Sequence, residues 1–202
     1  MFDVLIIGGG VAGISCALVL GSANKKAFVA EKQICIITHQ KGSSLQEALF
    51  NNSYGIPPGK TGAELLTEST KHLSDLYPHV KQFPGEKVLR VEGEYPEFIV
   101  VTNKNFYKTK IIVVAVGYAN TFSIEGLMQY VMPHQKTVSE KNRVQLKNED
   151  HKVTEGIYVA GNLAGWRSQL SIAAGSGAAV ATDILTLWNE GAHSQSHDKI
   201  SK

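Results

Sequence analysis

Residues 2–21 read FDVLIIGGGVAGISCALVLG, and the fold is decided there. Phe2–Ile7 is a short apolar run without alternation, the pattern of a strand buried on both faces of a parallel sheet. Gly8–Gly13 (GGGVAG) fits G-x-G-x-x-G in the context that pattern needs, after a strand and opening a helix. From Val11 to about Gly21 the residues Ile14, Cys16, Ala17, Leu18, Val19 and Leu20 leave no polar face, so this helix is expected to be deeply buried. In such a unit Gly8 permits the tight turn, Gly10 lets the backbone approach a pyrophosphate, and Gly13 lets helix and sheet close up. The helix N-terminus offers free N–H groups and partial positive charge to two phosphates. The stretch therefore predicts a dinucleotide-binding α/β fold; the alternative is a glycine turn that binds nothing.

The same run could pass for a signal peptide or a membrane span. No basic segment precedes it, Asp3 stands where a positive charge belongs, and glycines interrupt it, so a cytoplasmic protein without membrane association is the expectation. The chain has 202 residues, room for one ordinary domain with a full core. Its 20 basic and 18 acidic side chains leave a net charge of +2, which gives no overall footprint for nucleic acid. Two cysteines without a CxxC or a His/Cys cluster exclude a disulfide framework and a zinc site, so no metal is expected.

Moving outward, Lys26–Glu31 (KAFVAE) and Gln33–Thr38 (QICIIT) compete for the second strand, and the richer β-branched content favours the latter. Gly55–Lys60 is a turn-rich loop, and Thr61–Leu76 is an amphipathic helix. Lys87–Glu92, Glu97–Thr102 and Asn105–Lys110 read as an antiparallel meander, followed by a separate buried strand, Ile111–Val116. Residues 123–152 are polar and irregular. Gly156–Ala160 is a short strand and Leu170–Glu190 a long small-residue helix. The polar tail 191–202 is expected to be disordered.

An acid at the end of the second strand usually holds the ribose, about 20 residues after the glycines. Glu31 has that spacing, whereas Thr38 ends the favoured strand and offers a hydroxyl; both stay open. A second glycine cluster, TEGIYVAGNLAGWRSQLSIAAGSGAAVA (154–181), places another loop and helix N-terminus near one ligand. Such a terminus suits the N1/C2=O edge of a flavin, where negative charge collects on reduction.

Taken together these segments resemble the FAD-binding domain of the thioredoxin reductase family of pyridine nucleotide-disulfide oxidoreductases. The resemblance covers about 2–122 and 153–190. It includes FNNSYGIPPGKTGAELL (50–66), EKVLRVEG (86–93), VVAVGY (113–118), GIYVAGN (156–162) and SQLSIAAGSGAAVA (168–181). It implies FAD contacts at Gly8, Gly10, Gly13, Thr38, Asn52, Val88, Gly117, Gly161, Asn162, Gln169 and Leu170. It also marks departures: Asn162 stands where the family has Asp, and Val116 replaces a threonine. The interval from Gly117 to Asn162 is too short for the family's NADPH-binding domain, which carries its redox CxxC.

The expectation is one FAD-binding domain over 1–190, its halves 1–122 and 153–190 joined by 123–152. The fold class is a Rossmann-like doubly wound, mostly parallel sheet with helices on its faces and an inserted antiparallel β-meander. The protein is read as an FAD-dependent oxidoreductase reduced by NAD(P)H or a redox partner protein. The alternatives are an FAD-binding sensor without turnover and a plain NAD(P)-binding Rossmann protein. No catalytic residue stands out: Cys16 and Cys35 read as packing, and His134, His151, His193 and His197 as solvated. Leu127, Met128, Tyr130, Val131 and Met132 suggest a homodimer contact.

Overall fold

The apolar run Phe2–Ile7 forms β1, and all of its residues after Phe2 are buried, as its unalternating pattern demands. The computed structural model describes residues 1–39, 44–119 and 121–198. The glycine turn leads from β1 into α1 (Val11–Ser22). Next comes β2 (Ile34–Thr38), parallel to β1 with Val4 opposite Ile34 and Ile7 opposite Ile37. Glu31 lies in the exposed turn before it.

A two-residue pair, β3 (Leu49–Phe50) with β4 (Lys60–Thr61), precedes α2 (Gly62–Leu76). The start of α2 is a complete capping box: Thr61 Oγ1 accepts from the Glu64 N–H at 3.3 Å, and the Glu64 carboxylate accepts from the Thr61 N–H at 2.9 Å. Strand β5 (Lys81–Pro84) then pairs parallel with β2 at the sheet edge. The sequence did not announce β5. It is four residues long, lacks β-branched side chains and ends in proline, which only an edge position tolerates.

The meander is β6 (Val88–Glu94), β7 (Glu97–Thr102) and β8 (Phe106–Val114). Here the structure corrects the expected division, because Asn105–Lys110 and Ile111–Val116 are parts of one strand. Thr109 lies opposite both Phe2 of β1 and Phe98 of β7, so β8 passes from the meander into the parallel sheet without a turn. The hydrophobic pattern changes midway because only the second half is covered on both faces. Within 123–152 lie β9 (Val131–Pro133) and β10 (Val144–Leu146), an antiparallel pair, and the start of β11 (Lys152–Thr154). Strand β12 (Ile157–Val159) joins β8 in parallel, and α3 (Leu170–Trp188) follows.

The long sheet path runs β11-β12-β8-β1-β2-β5, with β7 on β8 and β6 on β7. Its two faces are covered differently. On one side Val4, Ile6, Ile34, Ile36, Ile111 and Val113 meet Cys16 and Leu20 of α1, Leu73 of α2, and Val180 and Ile184 of α3. On the other, Leu5, Ile7, Cys35, Ile37, Ile112 and Val114 are covered by Phe98 and Val100 of β7 and by Phe122, Leu127 and Leu146. The helices therefore occupy one face and β-structure the other. Both cysteines are buried, and burial pushes both thiols up, as a packing role requires.

Two further expectations change. Leu127 is fully buried, and Tyr130 and Val131 pack against the same core, which uses inward the apolar side chains that suggested a dimer contact; Met128 alone of them is strongly exposed. The tail is placed through residue 198. Ser194 is buried with its N–H on Thr186 Oγ1, Ser196 accepts from Ser22, and Asp198 accepts from Tyr77 at 2.6 Å. Its polar side chains find partners at helix ends, which composition alone could not show. Residues 199–202 lie outside the described residues.

Helices α1 and α3 touch through glycines. A Cβ on Gly177 would overlap the Ala12 carbonyl oxygen, and one on Gly13 would overlap the Gly8 carbonyl oxygen. Between them Ser15 Oγ donates to the Ala174 carbonyl at 2.7 Å. Gly177→Ala should therefore cost about 1–3 kcal/mol or more in denaturant unfolding, although alanine is the better helix former. An unchanged midpoint would show that the helices can separate freely.

At the opposite end of the sheet Asp3 accepts from the Gln33 N–H at 2.9 Å and from Lys110 Nζ at 3.0 Å, with Lys32 at 3.9 Å. Burial alone would raise its carboxyl, but the Gln33 N–H and the two lysines outweigh that and hold it below its ordinary value. A depressed carboxyl stabilises the fold above its unfolded pKa, and that contribution is lost as pH falls through the depressed folded value. Asp3→Asn should cost roughly 1–2 kcal/mol at neutral pH, with the gap to wild type closing under acid. A gap that persists in acid would assign the effect to shape and not to charge.

Candidate functional site

The carboxyl ends of β1, β8 and β12 open onto a cavity of about 320 Å³. Three chain segments shape it. The turn after β1 brings Gly10, Val11 and Ala12; the end of β8 brings Ala115, Val116 and Gly117; the end of β12 brings Ala160, Gly161 and Asn162. Ser168, Gln169, Leu170 and Ala173 close it from the start of α3, and Leu45, Ala48 and Phe50 from the segment before β4.

The glycines do different work. Gly8 has φ +116°, and a Cβ there would crowd the Ala115 carbonyl at 2.5 Å, so both backbone and space require glycine. Gly13 is required by contact with Gly8. Gly10 differs: its φ of −79° suits any residue, and a Cβ there would meet nothing within 4 Å. Gly117 is likewise open. The fold itself demands glycine at neither of these cavity-lining positions.

Two helix N-termini meet this space. Gly10 caps α1 and Gln169 caps α3, both without a side-chain hydrogen bond and without an acid in the first turn. Helix α2, whose first turn lies outside this cavity, carries the full capping box. The α1 and α3 termini therefore keep N–H donors and partial positive charge directed at one space. The Gly161 amide is not among those donors, since it is held by Ser176 Oγ at 2.7 Å.

Of the residues singled out in the sequence, Gly10, Gly117, Gly161, Asn162, Gln169 and Leu170 line the cavity. Gly8 and Gly13 lie beneath it as the frame of the turn. Thr38, Asn52 and Val88 are not brought to it. Thr38 is buried at the end of β2, where its carbonyl accepts from Gly85 and Glu86 N–H at 2.7 and 3.3 Å. Asn52 is exposed on the loop before β4. Val88 is buried in the second core, opposite Thr102 of β7.

The turn beside Thr38 is fixed by Glu86, whose carboxylate accepts from Thr102 at 2.7 Å, Tyr107 at 2.8 Å and Asn105 at 3.0 Å. Burial would raise this carboxyl; the three donors outweigh it and keep the group below its ordinary value. Tyr107 is in turn pushed up to about 12 by burial and by Glu86.

His134 and His151, read from sequence as solvated, are both buried. Their neighbours in sequence are polar, but the fold folds the rings inward. The Lys136 N–H donates to His134 Nδ1 at 3.1 Å, so Nε2 carries the proton and donates to the Asn162 carbonyl at 3.1 Å. His134 thereby ties the β9–β10 pair to a cavity-lining residue. Leu45 and Ala48 had no local signal; Val11, Ala12, Phe50, Ser168 and Ala173 sat inside motifs already recognised. Among the described residues no group of three or more potential metal ligands occurs.

Solved proteins share this fold. A solved thioredoxin reductase from Gloeobacter violaceus superposes with a TM-score of 0.71 at 15% identity, covering 99% of this chain and 98% of that one. An oxidoreductase from Agrobacterium tumefaciens gives 0.70 at 15% identity, covering 92% and 98%. An uncharacterized oxidoreductase, CzcO, of Bacillus subtilis is 26% identical over 182 residues, covering 80% of this chain and 48% of its own. The chain thus spans about half the length of the curated relatives it matches. Residues 2–162 match the pyridine nucleotide-disulphide oxidoreductase family, and with most of its length so matched the chain belongs to that family.

Proposed function

We propose that this chain holds FAD and serves as the flavin half of an oxidoreductase, reduced by NAD(P)H or by a redox partner protein. One observation carries the reading: Gly10 is a glycine that neither backbone conformation nor packing requires, and its open side faces the cavity where two helix N-termini meet. A missing side chain that the protein does not need is explained by a ligand that needs the space. The uncapped N–H groups of Val11 and Ala12 suit a pyrophosphate, and those at the start of α3 suit a second electron-rich edge.

FAD bound there would supply electron and hydride transfer. The chain's own part is positional. Gly10 and the α1 amides hold the phosphates, Gly117 leaves room at the end of β8, and His134 fixes the Asn162 loop. Helix dipoles favour negative charge on whatever occupies the cavity.

Protein purified without added cofactor should be yellow, with flavin absorption near one equivalent per chain. Gly10→Val should abolish that absorption while shifting unfolding by only about 1 kcal/mol, since the position tolerates a side chain in the empty fold. Colourless protein that binds NADH but not FAD would sink the flavin reading, as would a yellow Gly10→Val protein of full stoichiometry.

A further inference from the structure

The exposed turn that closes the cavity carries Trp166 and Arg167, immediately before the cavity residues Ser168 and Gln169. Trp166 is 42% exposed yet held by two neighbours. The His151 ring stacks on it with centroids 6.0 Å apart and planes 23° apart, and Lys136 Nζ stands 4.4 Å from its centroid. Arg167 Nη1 donates to the Lys136 carbonyl at 3.5 Å, and His134 joins the same segment to Asn162. A tryptophan already immobilised at the surface loses little entropy on contact, and Trp and Arg are the commonest anchors of protein interfaces.

Charge is concentrated at this place. Residues 134–147 and 165–169 hold Lys136, Lys141, Arg143, Lys147 and Arg167 against one acid, Glu140. The whole chain carries only +2, so the remainder is net negative and the field is local. Arg143 lies over the Tyr118 ring at 5.1 Å, next to the cavity residue Gly117. Glu149 and Asp150 follow directly after the basic segment and limit its extent.

We infer that this basic rim around Trp166 is the docking face for a small acidic electron-carrier protein, seated over the mouth of the cofactor cavity. The position beside the cavity makes the partner a redox protein, a meaning that rests on the flavin reading; the docking itself does not. A second copy of the chain is a poor occupant, because a two-fold contact would set like charges against each other. Nucleic acid needs an extended basic stripe, whereas the cations placed at this turn are Lys136 over Trp166 and Arg167 on the Lys136 carbonyl, with Arg143 over Tyr118.

The test is binding of two acidic carriers, a [2Fe–2S] ferredoxin and a flavodoxin, by interferometry, with the protein both FAD-loaded and stripped. Both should bind at low salt and weaken about tenfold by about 0.15 M salt. The exposed triple reversal Lys136→Glu, Lys141→Glu, Arg167→Glu should weaken binding by a further factor of about ten or more. The equally charged control Lys25→Glu, Lys71→Glu, Lys108→Glu should retain it. Trp166→Ala, with its melting temperature measured alongside, should also lose affinity. The proposal is overturned if neither carrier binds at low salt, if both triple variants lose binding equally, or if a short oligonucleotide binds the rim and displaces the carriers. Colourless protein that still binds both carriers would reject the flavin reading and leave the docking face standing.

Discussion

Everything in this molecule hangs on the close approach of α1 to the turn beneath it and to α3. Gly13 against the Gly8 carbonyl and Gly177 against the Ala12 carbonyl leave no room for one carbon atom. That contact fixes α1 along its length, since Ser15 bonds Ala174 further up the same seam. With α1 fixed over β1, its N-terminus must open at the carboxyl edge of the sheet. With α3 fixed beside it, the second N-terminus opens into the same space. The cavity follows from two helices that cannot move apart or past each other.

The second face of the sheet solves a different problem. Without a helix there, Leu5, Ile7, Ile112 and Val114 need another apolar cover. The meander supplies Phe98 and Val100, the segment before β9 supplies Leu127, and β10 itself supplies Leu146. Strand β8 makes this possible by being one continuous strand, so the meander is attached rigidly to the central sheet. The same cover brings His134 and Tyr118 to the rim of the cavity, their rings 5.4 Å apart. A segment that began as core packing thus ends as part of the site's wall.

Local patterns were legible wherever one short stretch determines its own geometry. The unalternating FDVLII, the glycine turn and the amphipathic run Thr61–Leu76 each specify their element without reference to the rest of the chain. Gly10, Gly117, Gly161, Asn162, Gln169 and Leu170 were readable because they sit in such motifs and strand ends converge at one edge. What escaped depends on distant partners. KQFP becomes β5 only because β2 offers a free edge, and Lys110–Ile111 lacks a break because β7 and β1 flank the same strand. His134 and His151 look solvated beside Gln135, Lys136, Asp150 and Lys152; only the fold supplies the carbonyls of Asn162 and Val159 that receive them. The expected adenosine end was hardest of all. Thr38 ends the right strand, yet β5 and the Gly85–Glu86 turn bury it, an outcome set by an edge strand that the sequence did not signal.

The electrostatics of the cavity point one way. Among the described residues no acidic side chain lines it, and the first turns of both helices that meet it lack acids. Asn162, which lines the cavity, offers hydrogen-bonding capacity without adding a negative charge. The two uncapped termini are therefore not neutralised from within. Glu86, in the turn beside the end of β2, is turned inward and consumed by Thr102, Asn105 and Tyr107. The lining of the cavity draws a positive bias from backbone dipoles, which suits a ligand carrying phosphates at one helix and gaining negative charge at the other.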